Sequence, residues 1–332
     1  MARFGGMVAE GLVEVSHDVA CLDDGGRWAV LVTYEGHLTC ARFRTWRPGA
    51  AADIAGPWSG PAVDAWTSSL DSVGYRAAVE RVREHIGRGD VYQANVCRTL
   101  QAALPEPERG DVGGLHALLV QQNPAPYEGV LRLPGIQVAT ASPELFLARS
   151  GTRVRTGPIK GTARSEADLL PKDVAENVMI VDLMRNDLAR VCEPGSVEVP
   201  HLLRKEQHPG LVHLVSDVTG ELTPGCTWRD IFDATLPPGS VSGAPKASAV
   251  ALLRQLEPEP RGPYCGVLGW IDADTREAVL AVAIRTFWIG EDSVLRFGTG
   301  AGITWGSQAD REWDETELKA RHLVATAAGS WR

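Results

Sequence analysis

The chain is short of the features that mark several large functional classes. No run of about 18 apolar residues appears, so no membrane-spanning helix is expected. The opening residues Met1-Ala2-Arg3-Phe4-Gly5-Gly6 lack the apolar core of a signal peptide. There is no excess of basic residues. The net charge is -9 and the isoelectric point is near 5.4, which argues against a nucleic-acid partner. A few local cations can still hold an anionic ligand. The six cysteines (Cys21, Cys40, Cys97, Cys192, Cys226 and Cys265) never fall at C-x-x-C spacing. That pattern reads as reduced thiols of a cytoplasmic protein, not as a zinc site or a disulfide frame. No P-loop, dinucleotide fingerprint, solenoid repeat or low-complexity tract is present.

What remains is an ordinary globular composition: 332 residues, 44% hydrophobic and 23% charged. Residues 28–34 and 38–43 read as a hairpin turning at Glu35-Gly36. Residues 47–68 are rich in Pro, Gly and Ala and read as a linker. Tyr75, Val79, Val82 and Ile86 recur at helical spacing, with Gly87 and Gly89 as stops. Strands are expected at 91–100, 135–147, 264–272, 278–288 and 293–299. Helices are expected at 172–191, with Val174, Val178, Val181 and Leu188 apolar, and at 311–328. Strands and helices mix without a βαβ rhythm, so the expected class is α+β. Residues 1–68 read as a short β-rich segment and linker integrated with a catalytic domain at 69–332.

Several small constellations carry chemistry. Glu312, Glu315 and Lys319 share one face of the last helix. They suit a divalent metal beside a cation, or a solvated ion pair. Asp173 and Glu176, at i and i+3, offer a further pair of oxygen donors of the kind Mg²⁺ takes. Gly298-Thr299-Gly300-Ala301-Gly302 reads as a loop whose backbone N–H groups approach an anion, or as a tight turn. Arg285 lies in an apolar strand and needs a carboxylate partner, from the protein or from a ligand. Lys160 stands alone between Pro158 and Gly161, either a turn charge or an amine aimed at substrate.

Six strings then occur in order: Ser142-Pro143-Glu144-Leu145-Phe146, Pro158-Ile159-Lys160-Gly161-Thr162, Met179 through Asp187, His213-Leu214-Val215-Ser216, Gly243-Ala244-Pro245-Lys246 and Arg261 through Gly266. Over about residues 70–328 the chain resembles the chorismate-utilising enzymes. These include anthranilate synthase component I, aminodeoxychorismate synthase component I, and the isochorismate and salicylate synthases. The resemblance implies large β-sheets in a sandwich-like core with helices outside, and an Mg²⁺-dependent cleft. It implies that Glu176 and Glu315 are the main metal carboxylates, with Asp173 and Glu312 nearby. Tyr264, Arg285, Lys319 and the Gly300, Ala301 and Gly302 backbone would hold substrate carboxylates. Glu144 would be the general acid, and His213 would lie near the reacting ring. Thr162, Ser240 and Lys246 would line the site.

Two positions distinguish the subfamilies by the same resemblance. At Gln93 the water-adding members carry a lysine base, so Gln93 favours amination. At Lys160 anthranilate synthases resemble Pro-Ile-Ala-Gly-Thr, whereas aminodeoxychorismate synthases resemble Pro-Ile-Lys-Gly-Thr. The expected activity is therefore that of aminodeoxychorismate synthase component I. The alternatives are anthranilate synthase component I and 2-amino-2-deoxyisochorismate synthase. No glutaminase signature is visible, so ammonia is expected from a separate glutaminase subunit or from free ammonium. With only about 70 residues before the region of resemblance, no feedback pocket is expected.

Overall fold

The computed structural model describes residues 1–163, 165–169, 171–208 and 211–329. Four strands open the chain: β1 (Ala2–Phe4), β2 (Met7–Ser16), β3 (Arg27–Val32) and β4 (Leu38–Pro48). Then come β5 (Thr67–Ser68), α1 (Ser72–Arg88), β6 (Gln93–Ala103) and α2 (Val112–Gln122). A run of strands follows: β7 (Tyr127–Leu133), β8 (Ile136–Ser142), β9 (Leu145–Ser150), β10 (Arg153–Gly157) and β11 (Ile159–Ala163). These lead to α3 (Pro171–Ala189), β12 (Glu198–His208) and β13 (Leu211–Glu221). The last part holds α4 (Trp228–Thr235), β14 (Gly243–Ala244), α5 (Lys246–Leu256), β15 (Val267–Asp272), β16 (Glu277–Val282), β17 (Thr286–Ile289), β18 (Val294–Ile303) and α6 (Ala309–Ala327).

All of these strands join one antiparallel ribbon. From one end its order is β12, β13, β10, β9, β16, β15, β3, β4, β2, β1, β7, β8, β17, β18 and β6. β11 lies beside β10 along β13, and β5 and β14 flank β6. The first 48 residues thus supply the middle of the ribbon, not a separate sheet. The ribbon curls on itself, and one apolar cluster joins both halves. It holds Val30, Leu31 and Leu268 from one half and Leu131, Val138 and Trp288 from the other. The helices cover the outside. α3 and α4 extend that cluster, α2 and α6 close a second around Phe287 and Phe297, and α1 and α5 close a third against β6. The class is α+β, as expected.

Local chemistry explains most boundaries. Asp71 caps α1 by accepting from Gly74 N at 2.7 Å, and Gly89 ends it at φ 83°. Gly87 lies inside the helix. The single strands expected at 135–147 and 278–288 are each two strands. The first breaks at Pro143-Glu144, where Pro143 supplies no ladder donor. The second breaks before Thr286, at Arg285 with φ 51°. Residues 47–68 are no free linker: Ala51 and Ile54 are buried, and Trp58 Nε1 donates to Ala327 O at 2.8 Å. In α3 the buried stripe is Asn177, Ile180, Val181, Met184 and Leu188. Val174 and Val178 lie off that stripe, 39% and 38% exposed.

Phe287 is fully buried, its ring 4.6 Å from Phe297 and 6.3 Å from Trp66. Phe287→Ala should lower unfolding free energy by about 3–5 kcal/mol. Urea titration should show the midpoint falling at unchanged slope.

Candidate active site

The centre of the site is the break between β8 and β9. Ser142 Oγ donates to Val282 O at 2.6 Å and accepts from Glu144 N at 3.2 Å, and Val282 N donates to Glu144 O at 3.1 Å. These bonds replace the ladder that Pro143 interrupts, and they fix the direction of Glu144. The Glu144 carboxyl is buried. It accepts hydrogen bonds from the Ser240 hydroxyl and the Ile159 N–H, with the Lys160 ammonium nearby. Burial dominates these favourable partners and pushes its pKa from 4.5 up to about 7. Near neutrality it can carry a proton to donate.

Lys160 sits in β11, one residue before Gly161 at φ 88°. Its amine reaches β18. A Cβ placed on Gly302 would lie 3.8 Å from Lys160 Nζ and 2.3 Å from Gln93 Nε2. Gln93 opens β6 and is 1% exposed, and its Oε1 is buried without a partner among the described residues. Lys160, Gln93, Gly302, Glu144 and Ser240 therefore share one small, largely dry region.

The glycine run at 298–302 is strand, not the loop the sequence suggested. Gly300, Ala301 and Gly302 pair with Cys97, Val96 and Asn95 of β6. Side-chain volume explains the glycines. A Cβ on Gly298 would lie 2.0 Å from the Tyr264 ring, and one on Gly300 would lie 2.7 Å from Cys97 Sγ. The β17 ladder ends at Phe297, so among the described residues the other edge of β18 has no strand partner from Gly298 onward. Backbone groups on that edge are available to an anion. Tyr264 is buried against this stretch, with its hydroxyl 3.9 Å from Cys97 Sγ.

Arg285 is largely buried, and its side chain makes no hydrogen bond or ion pair with a described residue. Burial alone pulls its pKa down. A guanidinium in that state lacks a counter-anion among the described residues. Lys319 donates to Gly300 O at 3.0 Å and pairs with Glu315 at 2.7 Å. The i,i+4 ion pair and the approach to the glycine strand thus occur together.

Lys246 is a brace. Its ammonium is held by Asp187 at 2.6 Å and by Thr235 O at 2.9 Å, tying α5 to α3 and α4. Burial drives both partners of this pair toward their neutral forms. His213 is buried in β13, in register with Thr162 and Glu206. The Thr162 side chain lies outside the described residues.

Asp173 packs on the Lys160 strand: a Cβ on Gly161 would lie 2.8 Å from Asp173 Cβ. Glu176 follows one turn later on α3, and Glu312 and Glu315 occupy α6. No three His, Cys, Asp or Glu side chains among the described residues form a preformed metal cage. The donors are all carboxylate oxygens. That chemistry fits Mg²⁺, which takes one or two protein carboxylates and completes its shell with water and substrate.

Residues missed in the sequence frame the site. Arg261 is fully buried and donates to Val241 O at 2.8 Å, Asn95 O at 2.6 Å and both oxygens of Glu257. Asn177, on the buried stripe of α3, donates to Lys160 O at 3.3 Å. Its place on that stripe was the available signal. A groove of about 1090 Å³ lies elsewhere, between the β3–β4 turn and α4–α5, and none of the predicted residues line it.

Comparison with known proteins fits this geometry. The family of chorismate binding enzymes matches residues 35–325. Anthranilate synthase component 1 1 of Haloarcula marismortui is 41% identical over 261 residues, 74% of this chain and 52% of that protein. Aminodeoxychorismate synthase component 1 of Klebsiella aerogenes is 34% identical over 292 residues, 84% of this chain and 63% of that protein. The chain thus spans about half to two-thirds of the length of these relatives. The crystal structure of anthranilate synthase component I from Streptococcus pneumoniae superposes with a TM-score of 0.83 at 24% identity, covering 97% of this chain and 92% of that one. The menaquinone-specific isochorismate synthase of Escherichia coli gives 0.82 at 17% identity, covering 97% and 85%. These two establish a shared fold.

The raised Glu144 pKa has a thermodynamic signature. The folded state keeps this proton between pH 4.5 and about 7, while the unfolded chain loses it. Stability falls as pH rises through that window and stays reduced above it. Glu144→Gln removes the effect. The variant should gain about 3 kcal/mol relative to the parent between pH 4 and pH 8. Urea titrations at the two pH values measure this, and an unchanged difference would refute the buried acid.

Proposed function

The chain belongs to the chorismate binding enzyme family, and on that premise we propose that it aminates chorismate at C4 to give 4-amino-4-deoxychorismate. The observation that carries the reading is the Lys160 amine at Gly302, beside Gln93 and near the protonatable Glu144. Relatives named for both amination reactions are similar to this chain, so identity alone does not choose between them. The lysine at position 160 supports amination at C4, because it supplies a nucleophile that an alanine cannot.

In the proposed sequence the neutral Lys160 amine bonds to ring C2. The two ring double bonds each shift by one position and the C4–O bond breaks. The hydroxyl leaves as water with the proton of Glu144. Ammonia then bonds to C4, the double bonds return and the C2–Nζ bond breaks. The proton shed by the new C4 ammonium restores Glu144. Two displacements through the diene replace one hard displacement at C4. Gln93 cannot act as a base toward water, and its Oε1, without a partner among the described residues, offers an acceptor to ammonia. Arg285, with no anion partner among the described residues, and the open edge of β18 suit the substrate carboxylates. When bound, Mg²⁺ would neutralise carboxylate charge, with Glu176 and Glu315 as its main ligands and Asp173 and Glu312 behind them. Ammonia would come from a separate glutaminase subunit or from ammonium.

The test incubates the chain with chorismate, Mg²⁺ and ammonium, then adds an aminodeoxychorismate lyase. The reading expects p-aminobenzoate only after the lyase, and a covalent adduct trapped on Lys160. Lys160→Ala should lose at least about 100-fold in rate, the lower range for removing a covalent catalyst. Fluorescent anthranilate as product, or unchanged C4 amination by Lys160→Ala, overturns it.

A further inference from the structure

We infer that Asn177 is a positioning residue that sets the aim of the Lys160 amine; this rests on the reading of Lys160 as nucleophile. The argument begins with strand register. Ile159 pairs with Val215 and Thr162 pairs with His213, so β11 carries one more residue than β13 across this interval. The extra residue is a β-bulge at Lys160-Gly161, and Gly161 absorbs it at φ 88°. Bulges re-aim side chains, and they also take backbone groups out of the ladder.

Two carbonyls at the bulge are recovered by one side chain. Asn177 Nδ2 donates to Lys160 O at 3.3 Å and to Leu214 O at 3.0 Å. Its Oδ1 accepts from Ser216 Oγ at 2.6 Å, and Ser216 Oγ accepts from Leu203 N at 3.0 Å. Asn177 and Ser216 are both fully buried. The amide has two N–H donors, and each is committed to one carbonyl. An aspartate lacks both donors, and a leucine lacks the acceptor as well.

This arrangement acts on the amine through the backbone. With its carbonyl held, the Lys160 peptide plane cannot turn, and the side chain leaves the strand in one direction. Without Asn177 the plane is free to rotate about a glycine neighbour. A displacement of about 1 Å at a nucleophile costs on the order of 100-fold in rate. Substrate binding should change little, because the carboxylate-holding groups lie on β18 and at Arg285.

The experiment compares Asn177→Ala and Ser216→Ala with the parent chain. Steady-state rates with chorismate and ammonium give kcat and KM. Reductive methylation followed by peptide mass spectrometry gives the reactivity of the Lys160 amine relative to the exposed Lys205. Asn177→Ala should lose about 100-fold in kcat with KM within about 3-fold, and Lys160 labelling should shift by at least about 3-fold. Ser216→Ala leaves Nδ2 in place but frees the amide to turn, so it should show a smaller loss of the same kind. Unchanged kcat and labelling in a folded Asn177→Ala chain overturn the inference, as does a change confined to KM. If Asn177→Ala does not fold, Ser216→Ala decides by the same two readouts. If Lys160→Ala still aminates while Asn177→Ala shifts Lys160 labelling, the nucleophile reading fails and the positioning stands.

Discussion

The Arg261 guanidinium, buried and held by four hydrogen bonds, is the constraint on which the site's frame depends. Its donors reach Asn95 of β6, Val241 beside the Ser240 turn, and Glu257 at the end of α5. Glu257 in turn accepts from Cys97 N, and the Arg261 Cζ lies 4.1 Å above the Tyr34 ring. A buried charge of this kind is tolerated when it is paired and well hydrogen-bonded. Here the bonding has a geometric result: the Ser240 turn is held beside the strand that begins at Gln93. Removing Glu257 would leave the Arg261 charge without compensation inside the core.

Around that frame the site follows a simple division. The groups expected to do chemistry, Lys160 and Glu144, come from a bulge and a strand break, where the ladder is interrupted. The groups expected to hold an anion come from β18, where glycines let side chains from the neighbouring elements close in. Regular structure supplies rigidity, and its local defects supply direction. Burial raises the Glu144 pKa to about 7 and lowers that of Arg285, which has no counter-charge among the described residues.

Much of this was legible in the sequence because periodicity and ordered motifs are local signals. α1 and α6 follow from their apolar spacing, and the family follows from six strings in order. What was not legible depended on contacts across the fold. α2 was missed because Gly113 and Gly114 weaken its propensity. They are needed because a Cβ on Gly114 would lie 2.4 Å from Gly56 O. Gly298 to Gly302 read as a loop because nothing local reveals a tyrosine ring lying on a strand. The 278–288 run looked continuous because a positive φ at Arg285 leaves no mark in an apolar stretch. Lys246 was expected to line the site, and only its buried neighbour Asp187 reveals the brace.

The ribbon order has a consequence for the growing chain. β3 is made among the first 32 residues, yet on one side its partner is β15, where Val32 meets Val267. β1 likewise waits for β7, and β8 waits for β17. During synthesis the apolar edge of β3 stays open until most of the polypeptide has emerged. Assembly is therefore governed by long-range closure, which is slow and leaves strand edges exposed to other chains. The same weave that makes the amino-terminal strands inseparable from the catalytic centre makes their protection in the nascent state a task for the cell.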